Sequence, residues 1–161
     1  MSINEIRFRM LLEYLYGRGV ANSVPWSELE YLESRKSSRL KQVIRNGTVF
    51  ATIQENGMIA LSIECATFLM KERIFRHSCV LVKNGFENEI KKGFSLFCKH
   101  VSKVGSNVAP GMDVAVVDKR WKLLATGKAL LPREYMLSFK RGVAVRVRLG
   151  VEQKGLEKNL S

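Results

Sequence analysis

The sequence predicts an α+β protein in which a small α/β-meander/α unit precedes a mixed β-barrel with two short helices. Three observations support this prediction. Short β-rich runs separated by Asn-Gly pairs fill residues 38–63, further short apolar runs fill residues 78–149, and a helix that starts at Pro132 interrupts the latter. The expected domains are residues 1–75, residues 76–150 and a polar tail over 151–161.

The first helix is expected to begin at Ser2 and to run to about Tyr16. Ser2 and Glu5 form a capping box, in which each side chain satisfies a backbone N–H of the first helical turn. One of the two glycines that follow Tyr16 would end the helix, because glycine readily adopts a left-handed conformation.

A three-stranded meander should follow an irregular stretch that contains a short acidic helical turn beginning at Ser27. The strands are residues 38–45, 48–53 and 58–63. Asn46-Gly47 and Asn56-Gly57 separate them, and Asn-Gly is the strongest short-range signal for a hairpin. A helix over residues 64–72 is expected to cover one face of this sheet.

The second unit alternates strands with short helices. A glycine at position 93 is expected to open a helix with the sequence GFSLFCKHV, and Pro132 a second helix that ends at Lys140-Arg141-Gly142. The expected strands are residues 78–82, 113–118, 123–131 and 143–149, with Lys119-Arg120 at the tip of a hairpin.

The charge of the chain is strongly positive and unevenly placed. Residues 77–161 carry 16 basic and 7 acidic side chains, and so hold +9 of the total net charge of +12. Such an excess attracts polyanions. We expect no membrane partner, because no apolar run of spanning length and no basic amphipathic helix is present. The polar N-terminus does not resemble a secretory signal, so a cytoplasmic location is expected.

The cysteines do not indicate a metal site. Cys65, Cys79 and Cys98 are widely spaced, without a CxxC pair. His77 and His100 could join them around an ion, but buried cysteines behave mostly as small hydrophobic residues. No Ser/His/Asp or Cys/His grouping suggests catalysis either. We therefore expect no metal, no cofactor, no small-molecule substrate and no catalytic residue.

The second unit resembles a PUA domain, the RNA-binding module of pseudouridine synthases and archaeosine transglycosylases. The resemblance is carried by GFSLFCKHV, PGMDVAVVD, LLATGKALL and YMLSFKRGVAVRVRLG. The preceding stretch, SRKSSRLKQVIRNGTVFATIQENGMIALSIECATFL, is similar to the domain that lies before the PUA domain in archaeal tRNA-guanine transglycosylases. The resemblance implies an archaeal protein that corresponds to the tRNA-gripping C-terminal part of that family, without its catalytic (β/α)₈ barrel.

Arg146 and Arg148 alternate with valines in the last strand, and two interpretations of them stay open. Strand alternation places both on one face. They could simply keep an outer face of the sheet solvated. Alternatively, since the PUA resemblance implies an RNA groove between the last strand and the first helix, their planar guanidinium groups could bind phosphates or stack on bases.

The helix expected from Gly93 would form the other wall of this groove. A helix start offers free N–H groups to phosphate, and a glycine lets a backbone approach closely. Phe94 and Phe97 could stack on bases or belong to the core. The remaining candidates for RNA contact here are Ser95, Lys99, His100, Lys140 and Arg141. A secondary RNA patch could form from Arg39, Lys41 and Arg45 on the opening strand of the meander, which could equally be a solvated face.

These observations predict a non-catalytic RNA-binding protein. It would bind tRNA near the acceptor end and assist tRNA modification, either by delivering tRNA to a separate modifying enzyme or as one subunit of a split transglycosylase. Two alternatives remain: a ribosome-assembly or translation factor that binds ribosomal RNA, and a small enzyme that acts on a nucleotide.

Overall fold

The computed structural model describes residues 1–153, and these form two units that share one hydrophobic core. Of the tail predicted over 151–161, the first residues, Val151–Gln153, form a short 3₁₀ helix. The rest of that prediction lies outside the described residues. No helix within residues 1–153 is long and apolar enough to cross a membrane.

The first helix, α1 (Ile3–Tyr16), begins and ends as predicted. The Ser2 hydroxyl accepts the backbone N–H of Glu5 at 3.1 Å. At the other end Gly17 adopts φ +111° and donates its N–H to the Glu13 carbonyl at 2.9 Å. The helix buries one side, formed by Phe8, Leu12 and Tyr16, against the core.

The first sheet is an antiparallel meander, and it has one strand more than predicted. In order its strands are β1 (Leu29–Glu33), β2 (Leu40–Arg45), β3 (Thr48–Ile53) and β4 (Ile59–Leu61). The β2–β3 turn at Asn46-Gly47 has positive φ at both positions, as its sequence predicts. The prediction of a helical turn beginning at Ser27 is wrong. After a single 3₁₀ turn at Trp26–Glu28 the chain becomes β1, because pairing with β2 along its length outweighs local propensity.

The helix α2 (Ile63–Leu69) follows the meander and packs on it. The Ser62 hydroxyl caps this helix by accepting the Cys65 N–H at 2.9 Å. Leu69 is fully buried, and the Phe68 ring lies 6.0 Å from that of Phe50 on β3. The helix ends three residues before the predicted end, and a 3₁₀ helix, Arg73–Ser78, leads into the second unit.

The second unit is a nearly closed mixed barrel, as predicted, and it has six strands where the sequence indicated four. Its strands are β5 (Cys79–Val82), β6 (Leu96–Phe97), β7 (Val101–Val104), β8 (Asp113–Val117), β9 (Leu123–Ala129) and β10 (Val143–Gly150), in the sheet order β6-β10-β9-β8-β5-β7. The β5–β8 pair is parallel and the other pairs are antiparallel. Two short helices accompany the strands, α3 (Glu87–Lys91) and α4 (Arg133–Ser138).

The prediction that a helix begins at Gly93 is wrong, because this glycine ends a helix. Gly93 follows α3 with φ +98°. Its N–H donates to the Ile90 carbonyl at 3.0 Å, and the Phe94 N–H donates to the Glu89 carbonyl at 3.1 Å. This pair of bonds is the Schellman pattern that terminates helices at a left-handed glycine. The following residues form β6 and a 3₁₀ turn, Cys98–His100, instead of a helix.

The two units are joined through the buried side chain of Asp113 at the start of β8. Its carboxylate accepts the Leu61 N–H of β4 at 2.7 Å and pairs with the guanidinium of Arg148 on β10. The Asp113 carbonyl accepts the buried Tyr16 hydroxyl of α1 at 2.9 Å. Arg148 and Thr126 both donate to the Leu61 carbonyl, at 3.2 and 3.1 Å. Segments from both units therefore converge on one carboxylate.

Burial and the hydrogen-bond partners of Asp113 shift the pKa of its carboxyl group in opposite directions. Desolvation raises the pKa of Asp113 above its ordinary value, whereas the Arg148 guanidinium and the Leu61 N–H lower it. Burying a carboxylate is costly unless it is paired and hydrogen-bonded. Arg148 is therefore needed at this junction to keep the Asp113 charge stable.

Arg148→Ala should lower the free energy of unfolding by about 1–3 kcal/mol, because it leaves the buried Asp113 carboxylate without its cation. The Arg148 side chain is 41% exposed, which places the loss below that of a fully buried pair. The matched control is Arg146→Ala, two residues away on β10 and exposed, which should change stability by less than about 0.5 kcal/mol. Urea denaturation measures both, and equal losses for the two variants would contradict the assignment.

Candidate nucleic-acid interface

A cleft of about 270 Å³ opens beside α3 and is lined largely by aromatic side chains. We call it the aromatic cleft. Its lining residues are Phe86, Glu89, Ile90, Phe94, Ser95, Phe97 and His100. The His100 imidazole stacks on the Phe86 ring with a centroid distance of 3.6 Å, and Phe97 meets the imidazole edge-on at 6.4 Å. Phe94 and Phe97 are 63% and 44% exposed, so both retain ring surface for a ligand.

The backbone around the aromatic cleft is held by hydrogen bonds between distant segments. The Lys83 N–H donates to the His100 carbonyl at 2.7 Å, which brings the turn before α3 next to the 3₁₀ turn after β6. The Schellman bonds at Gly93 place Phe94 at the mouth of the cleft. The Cys98 N–H donates to the Gly142 carbonyl at 3.0 Å and so joins β6 to the loop before β10.

The environment of His100 favours a neutral imidazole. Desolvation is the largest cause that lowers the pKa of His100 below its ordinary value, and the positive charges of Lys99 and Lys83 lower it further. The carboxylate of Glu89 acts in the opposite direction. His100 therefore contributes a flat uncharged ring at neutral pH, suited to stacking.

A second cleft, of about 230 Å³, lies on the other side of Phe97. We call it the basic cleft. It is lined by Phe97, Lys99, Lys140, Arg141 and Gly142, and its three charged side chains are cationic and exposed. Because both clefts include Phe97, a bound strand could place a base on the aromatic side and its phosphates on the basic side.

The structure brings most of the predicted site residues together around these two clefts. Phe94, Ser95, Lys99, His100, Lys140 and Arg141 all line one or the other. The Ser95 hydroxyl accepts the Val147 N–H of β10 at 3.3 Å, so it is engaged within the protein. Gly93 has a different role from the one expected. A side chain at this position would require the Gln153 side chain to move, and the position lacks the free N–H groups of a helix start.

The two arginines of β10 have different surroundings. Arg146 is exposed and lies opposite Lys128 of β9, which is exposed as well. Arg148 is paired with Asp113 at the junction between the units, where its charge is neutralised. The sequence pattern places both on the outer face, but it does not reveal that Asp113 lies beside Arg148.

The three residues of the predicted secondary patch are also placed differently from one another. Arg45 pairs with Glu28 and Glu64, and its guanidinium lies 5.1 Å from the centre of the Phe68 ring. Arg39 donates to the Gln54 carbonyl at 3.5 Å, while Lys41 is exposed. The charge of Arg45 is thus satisfied by carboxylates of its own unit.

Sequence reasoning did not select Phe86, although this residue supports His100. It follows the turn at Lys83-Asn84-Gly85, and nothing in the local sequence relates it to position 100. The cysteines, in contrast, lie where a core would place them. All three are buried, and burial raises the pKa of the Cys79 thiol to about 12. Within residues 1–153 no group of three or more His, Cys, Asp or Glu side chains could hold a metal ion.

Comparison with known protein families agrees with this architecture. Residues 79–151 match the PUA domain, and residues 7–73 match the patch-forming domain C2 of tRNA-guanine transglycosylase. The chain is therefore a PUA-domain protein, and PUA domains are RNA-binding modules.

More particularly, the chain resembles the C-terminal part of archaeal tRNA-guanine(15) transglycosylase. It is 34% identical to the enzyme of Thermococcus kodakarensis over 142 residues, which make up 88% of this chain and 24% of that protein. It is 34% identical to the Pyrococcus furiosus enzyme over 153 residues, 94% of this chain and 26% of that protein. The chain thus spans about a quarter of the length of these curated relatives. The resemblance expected from the sequence is confirmed.

Solved structures show the same fold over the whole chain. A hypothetical protein from Pyrococcus horikoshii superposes with a TM-score of 0.72 at 19% identity, covering 98% of this chain and 97% of that one. A conserved PUA domain protein from Thermoplasma acidophilum gives 0.63 at 20% identity, covering 99% and 97%. The two-unit arrangement is therefore a recurrent fold.

The imidazole of His100 should titrate below its ordinary pKa of 6.5 in an NMR pH titration. Because the folded-state pKa is lowered, the stability that the neutral ring contributes is present above pH 6.5. It is lost as the pH falls through the folded-state value. Phe86→Ala should raise this pKa towards the ordinary value by admitting water, and Lys99→Ala should raise it by removing a cation. Lys36→Ala, in the distant β1–β2 turn, is the control. A wild-type value at or above 6.5 would refute the stacked, desolvated state.

Proposed function

We propose that this chain is a non-catalytic RNA-binding protein that binds tRNA near its acceptor end and assists tRNA modification. The observation that carries the proposal is the adjacency of the aromatic and basic clefts around Phe97. Exposed rings next to cations are what an unpaired RNA strand requires, since its bases stack and its phosphates need positive charge.

Each cleft accounts for a separate part of RNA binding. Stacking of a base on an exposed aromatic ring contributes about 1–3 kcal/mol and tolerates different bases. Lysine and arginine bind phosphates, which fixes the register of the strand but carries no sequence information. Lys99, Lys140 and Arg141 are therefore the proposed phosphate ligands, with Phe94, Phe97 and His100 as the stacking surface. Arg146 extends the cationic surface, while we leave Arg148 out because Asp113 pairs with it.

The tRNA acceptor end suits this surface because it presents a single strand next to a duplex. RNA duplexes are recognised by shape and phosphates, and unpaired ends are recognised through their bases. The chain is similar to archaeal tRNA-guanine(15) transglycosylases, and this similarity supports tRNA as the ligand. Since the chain corresponds to a quarter of those enzymes, we propose that it acts with a separate modifying enzyme of the archaeosine pathway, or as one subunit of a split transglycosylase.

The affinity for tRNA should depend steeply on salt. If about five phosphates are neutralised, the affinity should fall roughly 100- to 500-fold between 50 and 200 mM salt. The double variant Lys140→Ala/Arg141→Ala should reduce the slope of log affinity against log salt by about 1.4–1.8. Filter binding or fluorescence anisotropy with labelled tRNA measures this. The charge-matched control is Arg35→Ala/Lys36→Ala, on an exposed turn of the first unit. An affinity that does not change with salt would exclude the proposal.

Stacking should be separable from charge in the same assay. Phe97→Leu keeps an apolar side chain but removes the ring, so it should weaken tRNA binding about 5- to 100-fold without changing the salt slope. The wild-type protein should bind a tRNA that lacks its single-stranded 3′ end more weakly than intact tRNA by a similar factor. The Phe97→Leu variant should bind the two tRNAs with nearly equal affinity. Recovery of ribosomal RNA instead of tRNA after crosslinking in cells would favour a ribosome-assembly factor.

A further inference from the structure

A third cleft lies near the start of α4, and at about 490 Å³ it is larger than the other two. We call it the Trp121 cleft. Its lining includes Arg73, Arg76, His77, Lys103, Trp121 and Arg133, drawn from the 3₁₀ helix before β5, from β7, from the β8–β9 turn and from α4. None of the described residues that line it is acidic. Four guanidinium or ammonium groups therefore surround one concave space without a carboxylate in its wall.

Two of the arginines of this cleft, Arg76 and Arg133, are held in place by contacts within the protein. The Arg133 Nε donates to the Val104 carbonyl at 2.9 Å, and the Arg76 guanidinium lies 4.7 Å from the centre of the Trp121 ring. Trp121 itself has φ +66°, an uncommon conformation for a bulky residue. The Asp118 carboxylate fixes this turn by accepting the N–H groups of Arg120 and Lys122 at 2.8 and 3.0 Å. Strained backbone held by its surroundings is a feature of binding sites.

Helix α4 runs from the Trp121 cleft towards the basic cleft. Arg133 at the start of the helix belongs to the former, and Lys140 just beyond its end belongs to the latter. The six residues of α4 span about 9 Å, a distance of one to two nucleotides. Tyr135 of α4 and Phe139, the residue that follows the helix, stack with a centroid distance of 5.0 Å and an interplanar angle of 6°. They are 50% and 45% exposed.

We propose that an RNA strand runs along α4, with phosphates in the Trp121 cleft and with bases against the Tyr135–Phe139 pair. This inference rests on the proposed RNA-binding function and extends it to a surface outside the aromatic and basic clefts. RNA is the occupant because cationic clefts at both ends of an exposed aromatic pair match alternating phosphates and bases. The footprint on the RNA is then longer than the two clefts around Phe97 could provide.

The test compares variants that remove charge with variants that remove rings, using labelled tRNA. Arg73→Ser/Lys103→Ser removes two exposed cations of the Trp121 cleft. It should weaken binding about tenfold at 50 mM salt and reduce the salt slope by about 1.4–1.8. Tyr135→Leu/Phe139→Leu should weaken binding about 5- to 100-fold with an unchanged slope. Arg35→Ser/Lys36→Ser, the charge-matched control, should change the affinity less than twofold.

A spectroscopic measurement reports on the cleft directly. The chain has two tryptophans, and the intrinsic fluorescence of both can change when RNA binds. The part of the change that is absent in Trp121→Phe arises from Trp121. We expect such a change. The inference is wrong if wild-type protein binds tRNA while the charge variant and the ring variant both match the control and Trp121 gives no signal. In that case the proposed function stands, and an acidic protein partner becomes the better occupant of the Trp121 cleft. If wild-type protein binds no RNA, both fail.

Discussion

The buried carboxylate of Asp113 holds the two units of this chain in a fixed arrangement. It accepts hydrogen bonds from β4 of the first unit and from β10 of the second, while the carbonyl of the same residue accepts the Tyr16 hydroxyl of α1. A buried charge in this position tolerates few alternatives, because any shift of one unit would leave the carboxylate or its partners unsatisfied. The core is continuous across the junction, so apolar packing and this polar network specify the same orientation.

Ion pairs within the protein determine which cations remain available to a ligand. Arg148 is used at the junction and Arg45 is used by two glutamates of its own unit. Among the exposed cations of the second unit, Lys99, Lys140 and Arg141 line the basic cleft, and Lys103 and Arg133 line the Trp121 cleft. Part of the positive charge of the second unit thus lies beside exposed aromatic rings. Such a combination favours a polymer that carries both phosphates and bases over a small anion.

Local signals were sufficient to predict most of the fold. The serine cap of α1, the Asn46-Gly47 hairpin and the strand alternation of β10 are each specified within a few residues, and all are present. The errors occur where a residue has two possible local meanings. Gly93 can precede or terminate a helix, and the segment Glu87–Lys91 before it forms the helix that it terminates. Leu29–Glu33 has no decisive local pattern, and its partner strand β2 determines its conformation.

The candidate site was predictable in composition but not in geometry, for the same reason. The cations and aromatic residues of 93–100 and 140–141 can be identified in the sequence, because exposed rings and charges in one basic segment are unusual. Their arrangement depends on contacts over long separations: Phe86 under His100, the Gly142 carbonyl against Cys98, and Asp113 beside Arg148.

The irregular segments that carry these rings are tied to the barrel and to each other by backbone hydrogen bonds, such as those from Cys98 to Gly142 and from Lys83 to His100. At Gly127 and Gly150 a side chain would collide with the backbone of β10 and of α3, respectively, so these glycines allow the barrel to close tightly around the loops. Under the proposed function, a surface held in this way needs little ordering of its own loops, so less binding energy is lost in ordering the protein. On that proposal the RNA strand is the partner that adapts, which an unpaired end can do more readily than a duplex.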